Sequence, residues 1–276
     1  MIRIGISGWR YAGWRGVFYP PGLPQRRELE YAASRLSSIE VNGSFYSLQR
    51  PSSWRAWAAA VPDDFVFAVK GPRFITHMKR LVDPEVPLAN FFASGVLSLG
   101  PRLGPVLWQL PPRTSFDPER LADFFDALPR RTTHAAELAR DRHEPARLKE
   151  GADTAAPVDQ PLRHVLEVRH ESFRTPEFCE VLRAHGIGMV VSDSAGTWPM
   201  FDEVTADLVY VRLHGDQELY ASGYGSEALG RWADKVRAWD ADGLDVFAYF
   251  DNDIKVHAPF DAIALADLLR GHGAHG

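Results

Sequence analysis

Residues 208–217 read LVYVRLHGDQ, and the alternation in this stretch decides the fold. In an extended chain Val209, Val211 and Leu213 fall on one face, and Tyr210, Arg212 and His214 on the other. The aliphatic face suits packing against helices. The second face ends in an arginine and a histidine, which a buried strand does not need for stability.

Seven further stretches repeat the pattern. Ile2–Ser7, Ser38–Asn42, Phe65–Lys70 and Pro105–Leu110 precede it or lie in the first half of the chain. His164–Arg169, Met189–Asp193 and Asp245–Asp251 complete the set with Leu208–His214. Helical signals separate them. Asp117-Pro118-Glu119 and Thr175-Pro176-Glu177 each place a capping side chain before a proline at the first helical position. Ser226 is expected to cap a helix through Trp239, Ser52 or Ser53 a helix after Pro51, and Pro259 to open a last helix through Leu269.

Strands that alternate with helices predict parallel pairing with helical crossovers. Eight such units in 276 residues predict a single-domain α/β protein, a TIM-type (β/α)8 barrel spanning 1–276, for which about 250 residues is typical. No GxGxxG or GxxxxGK[ST] motif favours an open nucleotide-binding sheet instead. The charged, alanine-rich run from about Arg130 to Arg163 breaks the rhythm, and is expected to be a surface insertion before the fifth strand, helical in part.

Composition narrows the function classes. A 45% hydrophobic, 24% charged chain is that of an ordinary globule. The net charge of −5 disfavours a general nucleic-acid binder. A single cysteine, Cys179, points to a reducing, cytoplasmic setting and reads as a small helix residue. The first residues lack the layout of a signal peptide, and no apolar run reaches the roughly 18 residues of a membrane span, so no membrane partner is expected.

Assigning each aliphatic set to the helical side leaves an inward set. It comprises Arg3, Gly5 and Ser7; Ser38, Glu40 and Asn42; Ala68 and Lys70; Gln109; Glu167 and Arg169; Tyr210, Arg212 and His214; Tyr249 and Asp251. On the sixth strand Ser192 and Asp193 compete for the inward position. Nearly every strand thus carries a polar group near its carboxyl end, where barrel enzymes place their chemistry. A lone ion in a dry interior costs several kcal/mol, and even a paired one adds little to stability. A closed salt-bridge network at the barrel mouth is the bland alternative to a ligand site.

Lys70, Arg169 and Arg212 are suited to hold an anion. Glu40 or Glu167 is the candidate base and His214 its proton partner. Asp251, Asn252 and Gln109 are placed to orient hydroxyls. The first loop, residues 7–24, crowds Trp9, Tyr11, Trp14, Phe18 and Tyr19 between glycines and prolines, as a stacking platform or a plug. Residues 216–225, DQELYASGYG, have the composition of a lid over the same mouth. Glu40, Glu167, Asp193, Asp251 and His214 carry metal-binding atoms, but no compact metal motif is present. The sequence requires no cofactor, leaves a divalent metal open, and assigns no metal ligand.

The runs SGWRYAGWRGVFYP (7–20), SIEVNGSFYSL (38–48), FVFAVKGPRFITH (65–77) and LGPVLWQLPP (103–112) resemble the YecE-like family, domain of unknown function seventy-two. EVRHESF, YVRLHG, YASGYGSEALGRWA and YFDND followed by APFDA continue the match, outside the 130–163 run. The resemblance implies a TIM-barrel fold and no settled activity. Its typical positions here are Ser7, Gly8, Trp9, Glu40, Asn42, Phe45, Tyr46, Lys70, Thr76, His77, Gln109, Glu167, Arg169, His170, Asp193, Arg212, His214 and Gly215. Where the family more often reads YFNN this chain reads YFDND, so Asp251 brings a charge in place of an amide.

The expectation is an enzyme (a hydrolase, lyase or isomerase) acting on a small anionic, phosphate-bearing or sugar-like substrate. Glu40, Glu167 and His214 are its catalytic candidates. Ser7, Trp9, Asn42, Lys70, Gln109, Arg169, His170, Asp193, Arg212, Asp251 and Asn252 are its binding set. A metal-assisted phosphodiesterase on nucleic acid and a non-catalytic small-anion sensor are the alternatives.

Overall fold

A computed structural model describes residues 1–271 of the chain; residues 272–276, included in the expected 1–276 domain, lie outside the described residues. The strands are β1 (Ile2–Ser7), β2 (Ser38–Val41), β3 (Val66–Lys70), β4 (Leu103–Gln109), β5 (His164–Glu167), β6 (Gly188–Asp193), β7 (Leu208–Leu213) and β8 (Asp245–Phe250). Their order closes as a barrel, β1 to β8 in sequence, and the strand pairs are parallel. All eight strands fall where alternation put them, to within two residues at each end.

Contacts divide the chain into two compact units: Met1–Glu40 with the chain from Met189 onward, and Val41–Gly188. In the first, Arg212 pairs in register with Ser192 and Tyr249, and Ser7 with Glu40. α8 (Ser226–Ala241) packs on α9 (His257–Gly271), which covers β1 and β8. The interior is filled by large rings: Tyr210 and Tyr249 are fully buried with centroids 5.1 Å apart. Gly5 makes room for them. A Cβ there would lie 2.1 Å from the Ser38 carbonyl oxygen and 3.2 Å from the Tyr249 ring. Tyr249 instead bonds Ser38 across this floor, hydroxyl to hydroxyl, at 2.7 Å.

In the second unit the helices include α2 (Gly43–Tyr46), α3 (Pro51–Ala59), α4 (Glu85–Ala93), α5 (Pro118–Asp126), α6 (Thr132–Arg142) and α7 (Pro176–Ala184), after α1 (Glu28–Ala33) of the first. The Asp117 side chain accepts from Arg120 N at 3.1 Å and Thr175 Oγ1 from Phe178 N at 3.3 Å, so both expected caps form. The serine caps do not. Arg50 precedes Pro51 at the start of α3, and Gly225 precedes α8, neither with a capping side chain. The last helix begins at His257, two residues ahead of Pro259, whose missing N–H is harmless in a first turn.

The 130–163 run is more structured than expected. Its first part is α6, whose Ala135, Ala136 and Ala139 form a buried stripe against α4. The stripe is made of methyl groups, so it carries little hydrophobic contrast for a sequence pattern to register. The return path is pinned: the Asp159 carboxylate accepts from Arg131 at 2.8 Å, and Leu162 N donates to Arg130 O at 2.9 Å. Among the described residues no helix is long and apolar enough to cross a membrane.

Gly5→Ala is expected to abolish folding or lower the unfolding midpoint severely, because the added methyl meets backbone. Gly230→Ala on α8, where nothing lies within 4 Å, is expected to gain about 0.5–1 kcal/mol. Urea denaturation of both variants checks this contrast; a mild Gly5→Ala would contradict the packing described.

Candidate functional site

In the first unit a buried charge network occupies the carboxyl ends of the strands. Arg212 Nε donates to Glu40 Oε2 at 3.1 Å, and Nη2 to Glu40 Oε1 at 2.9 Å. Nη2 also donates to Asp251 Oδ2 at 2.8 Å. The side chains of Arg212 and Glu40 are 1% and 0% exposed, and that of Asp251 15%. Ser7 Oγ donates to Glu40 Oε1 at 2.8 Å and Tyr210 OH to Oε2 at 2.6 Å. Burial, and next the Glu40 charge, push the Tyr210 phenol far up, so it remains a donor. Five contacts, from three strands and from Asp251 just past β8, thus fix one carboxylate and one guanidinium.

His214 adjoins this network. Its Nδ1 lies 3.1 Å from Asp251 Oδ2, the same oxygen that Arg212 holds. The imidazole is fully buried, edge to face with Trp198 (5.4 Å) and Tyr220 (5.3 Å). Trp198 is fixed in turn by its Nε1 donating to Ser192 Oγ at 2.9 Å. Asp253, two residues past Asp251, is pushed up to about 6 by burial and then by the Asp251 charge.

Three expected binding residues of this unit stand apart from this network. Asp193 pairs in register with Leu213, so it shares the aliphatic face, and Ser192 is the inward residue of β6. Tyr224 OH donates to Asp193 Oδ2 at 3.2 Å, and burial raises that carboxyl. Asn252 is fully buried and donates to Ser222 O (2.9 Å) and to Asp261 Oδ2 (2.8 Å). It anchors the 216–225 segment, because Asp261 Oδ2 also accepts from Tyr224 N. Trp9 is buried, and its carbonyl accepts from Tyr19 OH at 2.6 Å. With Trp14, Phe18 and Tyr19 buried beside it, the first loop is held together by its rings.

The second unit gathers its own set. Glu167 Oε1 accepts from Arg169 Nε at 2.7 Å and lies 2.6 Å from its Nη2. Gln109 is in register with Glu167, though its Nε2 donates to Leu110 O at 3.0 Å. Lys70 Nζ sits 4.4 Å above the centroid of the Phe45 ring, a cation–π contact. Ser44 Oγ, bonded to Lys70 O at 2.7 Å, fixes α2 on β3. His77 packs edge-on against Phe45 at 5.1 Å, with Nδ1 2.9 Å from Thr76 Oγ1. Burial, then the charges of Lys70, Arg73 and Arg169, push its imidazole down to about 4. His170 is a local cap, its Nδ1 accepting from Ser172 N at 3.2 Å. Asn42 opens α2 without capping it, and among the described residues its buried Oδ1 has no hydrogen-bond partner.

Sequence reasoning did not single out Trp198 or Asp253. The position of Trp198, in the loop directly after a strand's carboxyl end, was the available signal. Among the described residues, no group of three or more His, Cys, Asp or Glu side chains is arranged to hold a metal ion.

A family model described as a protein of unknown function, DUF72, matches residues 3–275. The UPF0759 protein YunF of Bacillus subtilis is 31% identical over 117 residues, 41% of this chain and 40% of that protein. The UPF0759 protein YecE of Escherichia coli K12 is 30% identical over 141 residues, 50% of this chain and 48% of that protein. The match therefore spans about half, or less, of the length of these curated relatives. A crystal structure of a DUF72 protein from Thermotoga maritima superposes with a TM-score of 0.76 at 25% identity, covering 98% of this chain and 99% of that one. One from Enterococcus faecalis gives 0.73 at 16% identity, covering 98% and 96%.

The low His77 value makes a pH prediction. Between about 4 and the ordinary 6.5 the unfolded chain binds the proton that the folded chain refuses. This contribution to stability is therefore present above pH 6.5 and lost as pH falls through that window. Titration by NMR is expected to show a His77 midpoint near 4, and His77→Gln is expected to flatten stability between pH 6.5 and 4. A midpoint near 6.5 would contradict it.

Proposed function

The chain belongs to the DUF72 family, and on that premise we propose that it is an enzyme acting on an oxygen-rich, anionic substrate, sugar-like or phosphate-bearing, by general acid–base chemistry. The observation that carries the reading is the His214–Asp251 contact of 3.1 Å at the carboxyl ends of β7 and β8. Asp251 Oδ2, 3.1 Å from Nδ1, favours a proton on that edge of the ring and so leaves Nε2 as the atom that takes or gives a proton. Arg212 offsets the charge of Asp251 and of Glu40, which keeps both carboxylates tolerable in a dry place. Glu40, bonded on both oxygens, is the fixed member that sets the guanidinium's plane.

The Trp198 and Tyr220 rings cover the imidazole. They lie on the segments that follow β6 and β7, which carry Gly196 and Gly215 at positive φ. A substrate reaches Nε2 when these segments open, and their closure excludes water during proton transfer. Flat rings beside hydroxyl-binding carboxylates suit a sugar-like body.

A turnover screen over sugar phosphates and sugar acids tests the reading. At least one is expected to be converted. His214→Gln is expected to lower kcat by about 10²–10⁴ with the unfolding midpoint kept within a few degrees. Asp251→Asn is expected to lower kcat with little change in KM. A His214→Gln protein with the parent kcat would contradict the assignment.

A further inference from the structure

The second unit contains a cavity of about 680 Å³ that the proton-transfer network does not use. None of Glu40, Arg212, His214 or Asp251 lines it. Its size lies within the roughly 300–1,000 Å³ of small-molecule sites. Three large apolar side chains stand on its wall in the open: Tyr46 is 71% exposed, Met78 64% and Phe74 41%. A folded chain gains nothing by showing that much apolar surface around one concavity unless something fills it.

The backbone beside the cavity is irregular. Phe74–Met78 forms a π-helical turn, closed by Lys79 N donating to Phe74 O at 2.8 Å. Arg80, Leu81 and Asp83 follow, all at positive φ (51°, 71° and 45°). Widened turns and left-handed residues without a glycine concentrate where geometry serves a ligand. Leu81 is 4% exposed and plugs the segment into the core, which leaves the Phe74 and Met78 side chains turned outward.

The charges on the wall divide into satisfied and unsatisfied. Lys79 pairs with Asp83 at 3.6 Å, and Arg147 with Glu144 at 3.4 Å. Glu144 is also held by Asn90, whose Oδ1 accepts from its backbone N at 2.7 Å. Glu85 sits in the first turn of α4, where a helix favours negative charge. Arg73 remains: among the described residues no carboxylate pairs with it. Phe45 lies on the same wall, with Lys70 over its face and His77 at its edge. The Arg73–Phe45 end is therefore electropositive, and the Tyr46–Phe74–Met78 rim is apolar.

We propose that this cavity is a binding site for a small organic anion, a carboxylate carried on a flat aromatic body, with the carboxylate on Arg73 and the body against Tyr46, Phe74 and Met78. An arginine fork takes a carboxylate in two parallel bonds, and the rings and thioether take the aromatic face. The site stands on the second unit alone and does not depend on the acid–base assignment.

Calorimetric titration of the whole chain with 2-naphthoate and with its neutral analogue 2-naphthamide tests it by binding, not turnover. Wild type is expected to bind the carboxylate about tenfold or more tighter than the amide. Arg73→Gln is expected to remove that preference while leaving the amide's affinity unchanged, and Tyr46→Ser to weaken both ligands. Both side chains are exposed, so both variants are expected to keep the parent circular dichroism. Equal affinity for the two ligands, no binding of either at millimolar concentration, or indifference to both substitutions would overturn the proposal. So would sedimentation showing a dimer that Tyr46→Ser dissolves, because the face would then belong to a second copy.

Discussion

The architecture of the first unit turns on one guanidinium. Arg212 is wholly buried and holds two carboxylates, Glu40 and Asp251, that would otherwise lie in a low-dielectric interior without compensation. An isolated ion in such a place costs several kcal/mol, and no apolar contact offsets it. The guanidinium therefore constrains everything near it. Glu40 must present both oxygens, so Ser7 and Tyr210 cap the remaining lone pairs. Asp251 must turn toward Arg212, and that turn brings the same oxygen to His214. The placing of Asp251 against His214 is thus set by the electrostatics of the floor beneath it.

Such a network is a poor way to gain stability. Tyr249 shows what the neighbouring layer does when only packing is required: its ring lies against Tyr210 and its hydroxyl bonds that of Ser38. The charged layer begins one pleat further along each strand. The second unit solves the same problem locally. Glu167 is satisfied by Arg169 two residues on, and Lys70 rests on Phe45. Burial first, and then the cations this arrangement leaves around it, push the His77 imidazole below the usual range.

Much of this was legible from a period of two. Alternation located the strands and grouped Ser7 and Glu40 with Arg212 in the first unit, and Gln109 with Glu167 in the second, because a one-residue slip would expose every aliphatic partner. It failed where a partner lies far away in sequence. Nothing local to Asn252 announces Asp261 and Ser222, and nothing local to His170 distinguishes a cap for Ser172 from a ligand contact. The Asp193–Ser192 ambiguity was resolved by register with β7, which a single strand does not contain. The bounds of the helix expected in the 130–163 run were not legible because three alanine methyls bury well yet contrast little, and the π-helical turn at Phe74–Met78 has no sequence period of its own.

Equilibrium unfolding of a mutant cycle on Glu40 and Arg212 tests the central claim most directly. Arg212→Met is expected to cost about 3–5 kcal/mol, because it strands two carboxylates. Adding Glu40→Gln to that chain is expected to recover a large part of the loss, since one stranded charge is removed. An Arg212→Met protein as stable as its parent, or a double variant no better than the single, would show that this guanidinium does not hold the site together.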